Sequence, residues 1–417
     1  MYVIDAPSWS AQVEYSWNGN CGTLQEPAGV LNFEDDANIR VVAPKSYNVY
    51  QSAFAPVVDG TADAIWNDHD WSNDFGWVWR NGTYSNPDLN AKMKLMFVEN
   101  ATDASKIDVY LMVQSTGYGT HTGVDGFHIY ITDSTGTSKT NIMRYNGSQT
   151  GTDITYTWYK HGTYDAAVKL ESNVCTFEFH FLLNKAATAN MDLALLDGNG
   201  WGDNQSMNYS WSGCSSGLSD RQKAFGTLNF IDETKDVISV ETLKGASIRV
   251  DTANKDQSGI RFATTVDADR LNALIADGAT VTTGTLILST ASLTNAGIAA
   301  ADFTEEALKA VGMVEGTHYY NLVNEDNAWV SENGTEQTGT WYGTLYNIRD
   351  FKRAFSAVGY VTVTYNGVTV TLYGGYTDDC SRTVAYVAEK AMEGEVIGES
   401  GSWNAQQEAI LASFYQG

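Results

Sequence analysis

The chain has 417 residues, with 50 Asp and Glu against 25 Lys and Arg, a formal charge of −25 and a pI near 4.4. That length exceeds what one hydrophobic core organises, so two or three domains are expected. The charge argues against partners that carry phosphate, nucleic acid and anionic membrane surfaces alike, and leaves neutral ligands and divalent cations.

Aromatic content is high, with 12 Trp, 23 Tyr and 15 Phe, and 38 Gly against 5 Pro suits a turn-rich β protein rather than a disordered one. No apolar run is long enough to cross a bilayer, so no membrane insertion is expected. Met1 to Asp5 shows neither a basic n-region nor an apolar h-region, which alone points to the cytoplasm. The acidic, Thr/Asn/Gly/Tyr-rich composition reads instead as a secreted or cell-surface bacterial module cut from a longer chain, a monomer within a multi-domain protein.

Residues 10–33 repeat residues 204–230. Tyr15-Ser16-Trp17-Asn18-Gly19 aligns with Tyr209-Ser210-Trp211-Ser212-Gly213, and Gly29-Val30-Leu31-Asn32-Phe33 with Gly226-Thr227-Leu228-Asn229-Phe230. Residues 1–45 therefore read as the tail hairpin of a preceding repeat; the alternative is an early element that packs elsewhere in the chain. Cys175 and Cys214 fall in the same module, where a bridge between them competes with four free thiols, and Cys21 sits nearly where Cys214 does.

The stretch Ala55 to Trp66 starts extended, turns at Asp59-Gly60 and buries Ile65-Trp66. From residue 92 onward the pattern is strand-like. Met93, Leu95 and Phe97 alternate with polar residues, as do Ile107, Val109, Leu111 and Val113; then come Phe127, Ile129 and Ile131, and Phe177, Phe179 and Phe181 with Glu178 and His180 on the opposite side. Period-two patterning broken by Gly, Asn, Asp and Ser predicts an antiparallel β-sandwich, with His128 and Tyr130 free to face a ligand groove. The sandwich spans 46–235.

After Glu233 the character changes to an α+β domain over 240–417. Strands are expected at Val250, Ile260 to Phe262 and Thr285 to Leu288, and helices over Asp267 to Asp277, Thr304 to Val311 and Ser381 to Met392. Asn366-Gly367, between two alternating runs, predicts a tight hairpin.

Pro56-Val57-Val58-Asp59-Gly60-Thr61-Ala62-Asp63-Ala64-Ile65-Trp66 resembles the opening strand of family 9 carbohydrate-binding modules, a DOMON-like, jelly-roll-like β-sandwich. Tyr209-Ser210-Trp211 with Phe225 to Phe230 resembles the closing strands of that family. The resemblance implies non-catalytic, extracellular binding of neutral polysaccharide or oligosaccharide, with a terminal sugar held between two Trp rings. The domain that follows resembles a module of Gram-positive surface proteins.

Sugar C–H faces pack on aromatic rings while flanking polar groups take the hydroxyls. Trp71, Trp77, Trp79, Trp158 and Trp201 lie in polar, Gly/Asn-rich surroundings and are the candidate stacking rings, with Trp66 and Trp211 assigned to the core. Which two rings form the pair stays open. Tyr118 and His121 precede Asp125, which matches by position the family's Asp beside the binding face and reads equally as a turn carboxylate. Asp197, Asn199 and Asp203 place oxygens at alternating positions, as a calcium loop does, and related modules bind structural Ca2+; a solvated turn is the other reading, and no organic cofactor is implied.

An enzyme is not expected. Asp68-His69-Asp70 cannot converge on an extended chain, and Glu171 with Glu178 is a weak case for paired hydrolytic carboxylates. No Gly-x-Ser-x-Gly, His-Glu-x-x-His or P-loop pattern occurs. Met207 and His180 lack the context of haem ligands. The alternative to glycan binding is a structural or adhesin repeat whose tryptophans are all packing.

Overall fold

The computed structural model describes residues 2–5, 13–16, 45–80, 83–117, 126–133, 139–145, 159–161, 164–198, 206–212, 225–236, 238–242, 246–324, 339–376, 380–394 and 402–416. The chain is mainly β, an antiparallel β-sandwich with a smaller α+β part. β1 (Tyr2–Asp5) and β2 (Val13–Ser16) pair antiparallel. The rest of the repeat proposed over 10–33 lies outside the described residues.

The first sandwich begins with β3 (Ser46–Gln51), β4 (Gly76–Arg80), β5 (Asn90–Glu99), β6 (Lys106–Thr116), β7 (Gly126–Asp133) and β8 (Lys139–Tyr145). It continues with β9 (Tyr159–His161), β10 (Tyr164–Glu171), β11 (Val174–Asn184), β12 (Thr188–Gly198), β13 (Ser206–Ser210) and β14 (Gly226–Thr234). Hydrogen bonding follows one path, β10-β11-β6-β5-β3-β14-β12-β7-β8-β9, with β13 on β12 and β4 on β13. The path folds back on itself. Phe127 of β7 meets Phe177 and Phe179 of β11 edge-on, with centroids 5.9 and 5.1 Å apart, so the two ends of the path face each other as two leaves.

The alternation read from the sequence builds this core. Phe177, Phe179 and Phe181 point inward and stack ring on ring, and Leu95, Phe97, Leu111 and Ile129 join them fully buried. Each such side chain contributes about 1.5–3 kcal/mol of burial. Among the described strands of this sandwich, β3 departs from antiparallel pairing: it runs parallel to both neighbours, β14 and β5, and so joins the two leaves. Trp66 and Trp211 are buried, whereas the groove expected at Tyr130 and His128 is filled: both are buried, and Tyr130 stacks on Phe225 with centroids 4.5 Å apart.

The second half contains β15 (Val240–Thr242), β16 (Ser247–Arg249), β17 (Gly259–Val266), α1 (Ala268–Ala276), β18 (Thr280–Ser289), α2 (Thr290–Ala296) and α3 (Glu305–Ala310). β19 (Tyr319–Asn324), β20 (Thr340–Tyr346), β21 (Ala354–Tyr365), β22 (Val368–Tyr373), β23 (Ser381–Thr383), α4 (Val384–Glu393) and α5 (Ala405–Tyr415) complete it. One sheet joins β15, β17, β16 and β20, and the other β19, β18, β21, β22 and β23. They pack face to face. Gly359 lies against Thr264 so closely that any Cβ would collide with its side chain, and the Trp341 indole donates to the Gly284 carbonyl at 3.1 Å. Helices α4 and α5 cover the open end through Val384, Val387, Leu411 and Phe414.

Local signals set the helix starts. Asp267, Thr304, Thr383 and Asn404 cap α1, α3, α4 and α5 through side-chain oxygens, Asn404 in a capping box with Gln407. The last predicted helix begins later than expected, because Ser381–Thr383 adds a short strand to β21. Asn366 and Gly367 turn the β21–β22 hairpin with φ of 48° and 80°.

The two halves share a core. Phe54, Ile65, Trp66, Met96 and Met112 from the first pack with Ile238, Leu271, Leu274, Trp341, Val363 and Tyr365 from the second. The stretch resembling an opening strand is no strand here. Residues 55–60 form a strap over the outer face of β11, and Ala64–Asp68 is a 3-10 helix wedged into this junction. Cys175 is buried in the first sandwich and Cys380 is a buried free thiol; Cys21 and Cys214 lie outside the described residues.

Candidate functional site

The loops that carry most of the predicted ligand residues leave from one end of the first sandwich. β6 ends beside Gly117 and β12 at Gly198, while β7 opens at Gly126, paired with Leu196. Asn86 ties these points together. Its side-chain amide donates to the Gly117 carbonyl at 2.9 Å, on one leaf, and to Asp197 Oδ2 at 3.0 Å, on the other. Tyr84 donates to the same Asp197 oxygen at 3.1 Å, and the amide N–H of Asp88 donates to Asn86 Oδ1 at 3.2 Å. Burial, then the charge of Asp197, raises the Tyr209 hydroxyl above its ordinary range, which keeps it a neutral donor at this end.

Of the predicted stacking rings, Trp77 stands on edge strand β4, paired with Tyr209, half-buried, with the Arg80 guanidinium 4.7 Å from its ring centroid. Trp79 is in the same strand, paired with Asn208. Trp71 is elsewhere. It packs against the junction core, with the Lys92 and Lys94 ammonium groups 4.4 and 4.7 Å from its ring centroid. Cations hold an aromatic face by attraction to its quadrupole, so Arg80 engages the Trp77 ring as the two lysines engage Trp71; what sets Trp71 apart is its packing on the junction core. Tyr118, His121, Asp125, Trp158 and Trp201 lie outside the described residues, as do Asn199 and Asp203 of the proposed calcium loop. Asp197, its described member, is buried, with Oδ2 accepting from Tyr84 and Asn86.

Asp68, His69 and Asp70 diverge. Asp68 pairs with Arg270 of α1, the Asp70 carbonyl accepts from Tyr47, and His69 lies buried at the edge of Trp66, neither of its ring nitrogens having a hydrogen-bond partner among the described residues. Burial, with Lys94 and Arg270 nearby, lowers His69 to about 4.

Under the strap His180 and Glu178, which the sequence offers only singly, join a cluster. His180 of β11 has Nδ1 3.0 Å from Asp165 and Nε2 2.7 Å from Asp108, and its ring stacks on Tyr110 with centroids 4.8 Å apart. His180, Asp165 and Tyr110, with Pro56, Val58 and Ala166, line a cavity of about 420 Å³. Beside it, Glu178 accepts the backbone N–H groups of Asp59 and Gly60 at 3.1 and 2.9 Å and the Trp66 indole at 3.1 Å. Gly60 has φ of 88° and lies against Lys169, so only glycine turns the strap here. Burial raises Glu178 to about 7, with the Gly60 and Asp59 amides pulling it back. The legible signal was period two: Glu178 and His180 alternate with three core phenylalanines. Chemically this cluster offers hydrogen-bond acceptors and a stacked ring pair, one ring of which carries the Tyr110 hydroxyl.

No family model matches the chain, and no curated protein is similar to it.

Proposed function

We propose that the chain binds neutral oligosaccharide or polysaccharide without catalysis, at the loop end of its first sandwich, as part of a secreted or cell-surface bacterial protein. What supports this most is Asn86, which fastens the roots of the 118–125 and 199–205 segments to each other across the two leaves. Those segments hold Tyr118, His121, Asp125 and Trp201 in sequence, and Trp77 lies on β4, paired with Tyr209 of β13. Aromatic and hydroxyl-binding residue types in loops rooted at one end of a sandwich are the composition that sugar binding calls for. Single-site affinity would be weak and raised by tandem copies.

Intrinsic tryptophan fluorescence, titrated with cello-, xylo-, manno- and malto-oligosaccharides in the presence of calcium, tests the reading. A saturable blue shift with one series, lost in Trp77→Ala, is expected. A flat response from folded protein across the panel overturns it.

The second reading is a structural surface repeat. It is favoured by the rings already committed to packing: Trp66 and Trp211 are buried, and Trp71 packs on the junction under two lysines.

A further inference from the structure

We infer that a crevice at one end of the second sandwich is a separate binding site for a carboxylated sugar, a uronic acid unit of a polysaccharide. The ends of β18 and β20, the start of β21 and strand β19 enclose about 440 Å³ there, a volume in the range of small-molecule sites. Within a chain of −25, the ionisable lining is Arg349, Arg353 and His318 against Asp350 alone.

The arginines are lightly held. Arg349 is 3.8 Å from Asp256 and Arg353 is 3.7 Å from Asp350, both beyond hydrogen-bond length, on side chains 78% and 59% exposed. Exposed pairs of this kind contribute about 0–1 kcal/mol, so both guanidinium forks remain available. His318 Nδ1 accepts from the Val314 amide at 3.0 Å, which leaves its other ring nitrogen as a donor. Two tyrosines complete the lining. Tyr320 and Tyr346 are 49% and 48% exposed, and among the described residues neither packs on another ring or under a cation. Asn347, next in the lining, sits at φ 55°, a conformation that carries strain and gathers at ligand sites.

One ligand chemistry uses all of these. A carboxylate takes the planar guanidinium forks, a pyranose ring lies on tyrosine faces, and its hydroxyls meet Asn347, Ser292 and Thr317. A neutral sugar would leave the arginines unused, and a bare anion the tyrosines.

The site is independent of the one on the first sandwich, and calorimetric titration separates them. Galacturonic acid trimer and its neutral galactose counterpart are titrated into the full chain, with acetate and inorganic phosphate as competitors. The acidic trimer should bind, with affinity lowered at least tenfold in the Arg349→Ala/Arg353→Ala double variant and also in Tyr346→Ala, at unchanged thermal unfolding midpoints. Trp77→Ala should leave this binding intact. Four results each overturn the assignment: no binding of the acidic trimer, equal binding of the neutral one at this crevice, indifference to the double variant, or displacement by acetate or phosphate at equal concentration. Loss of binding in Trp77→Ala would move the ligand to the first sandwich and overturn it as well.

Discussion

The indole N–H of Trp66 donates to Oε1 of Glu178 at 3.1 Å, and the other oxygen of that carboxylate accepts the backbone N–H groups of Asp59 and Gly60. One buried side chain on β11 thus holds both the strap and the ring that enters the second half's core. Glu178→Ala leaves two buried donors, the Gly60 amide and the Trp66 indole, without an acceptor, each costing about 1–3 kcal/mol, while the Asp59 amide keeps the Val57 carbonyl at 3.1 Å. With partial relaxation, a loss of roughly 3 kcal/mol is expected from urea unfolding, and about half that for Glu178→Gln, which keeps one acceptor oxygen. Equal stabilities for wild type and Glu178→Ala would refute the strap's dependence on this residue.

The same residue sets a pH dependence. Burial raises Glu178 to about 7, Asp192 to about 7 and Asp63 to about 6, all above their unfolded values near 4. The native state therefore binds more protons than the unfolded state between about pH 4 and 7, and stability falls as pH rises through that window. His69, lowered to about 4, opposes this between pH 4 and its ordinary 6.5, since the unfolded state binds the extra proton there. Three raised carboxylates outweigh the one lowered histidine throughout, so the thermal midpoint should decline from about pH 5 to 7, and less so in Glu178→Gln. A midpoint that climbs over that interval contradicts the buried-carboxylate account.

The sandwich was legible because its strands obey period two. Phe177, Phe179 and Phe181 announced an inward face, Asp267 and Thr304 announced helix starts, and Asn366-Gly367 announced a hairpin. Hidden from the sequence was the second burial of a face that alternation assigns to water. Met96, Met112 and Glu178 point away from the first core and are buried all the same, the two methionines under the second half and Glu178 under the strap and Trp66. Alternation reports the inside of one sheet and is silent on what covers its outside. The stacking of Gly359 on Thr264 was equally hidden: a glycine in a strand signals close approach, but not to which partner. Asn86 escaped notice because its two acceptors, Gly117 and Asp197, lie 31 and 111 residues away.

The shared junction makes the two halves one cooperative unit. Leu274 of α1 is fully buried in the mixed cluster, and truncating it leaves a cavity costing about 2–5 kcal/mol. Arg270, with a side chain only 12% exposed, pairs with Asp68, and its removal leaves that carboxylate without its cation. Calorimetry of the wild type should show a single transition, and Leu274→Ala or Arg270→Ala should split it in two. Two resolved transitions already present in the wild type would mean that the junction does not couple the halves.

Asn86→Ala discriminates between sugar binding and structural packing at the loop end. The substitution removes the donors to Gly117 and Asp197 while Tyr84 still satisfies the Asp197 oxygen, so the expected stability loss is about 1–2 kcal/mol. Its effect on binding should be far larger. If the two segments form a glycan site, untethering their roots disperses groups that must be held in one geometry, and affinity for the preferred oligosaccharide should fall more than tenfold. Trp71→Ala, which alters the junction rather than this end, should leave affinity within a factor of about two. A fluorescence titration on the three proteins reads both quantities. Stability lost without affinity lost would assign Asn86 to the scaffold alone and favour the structural repeat.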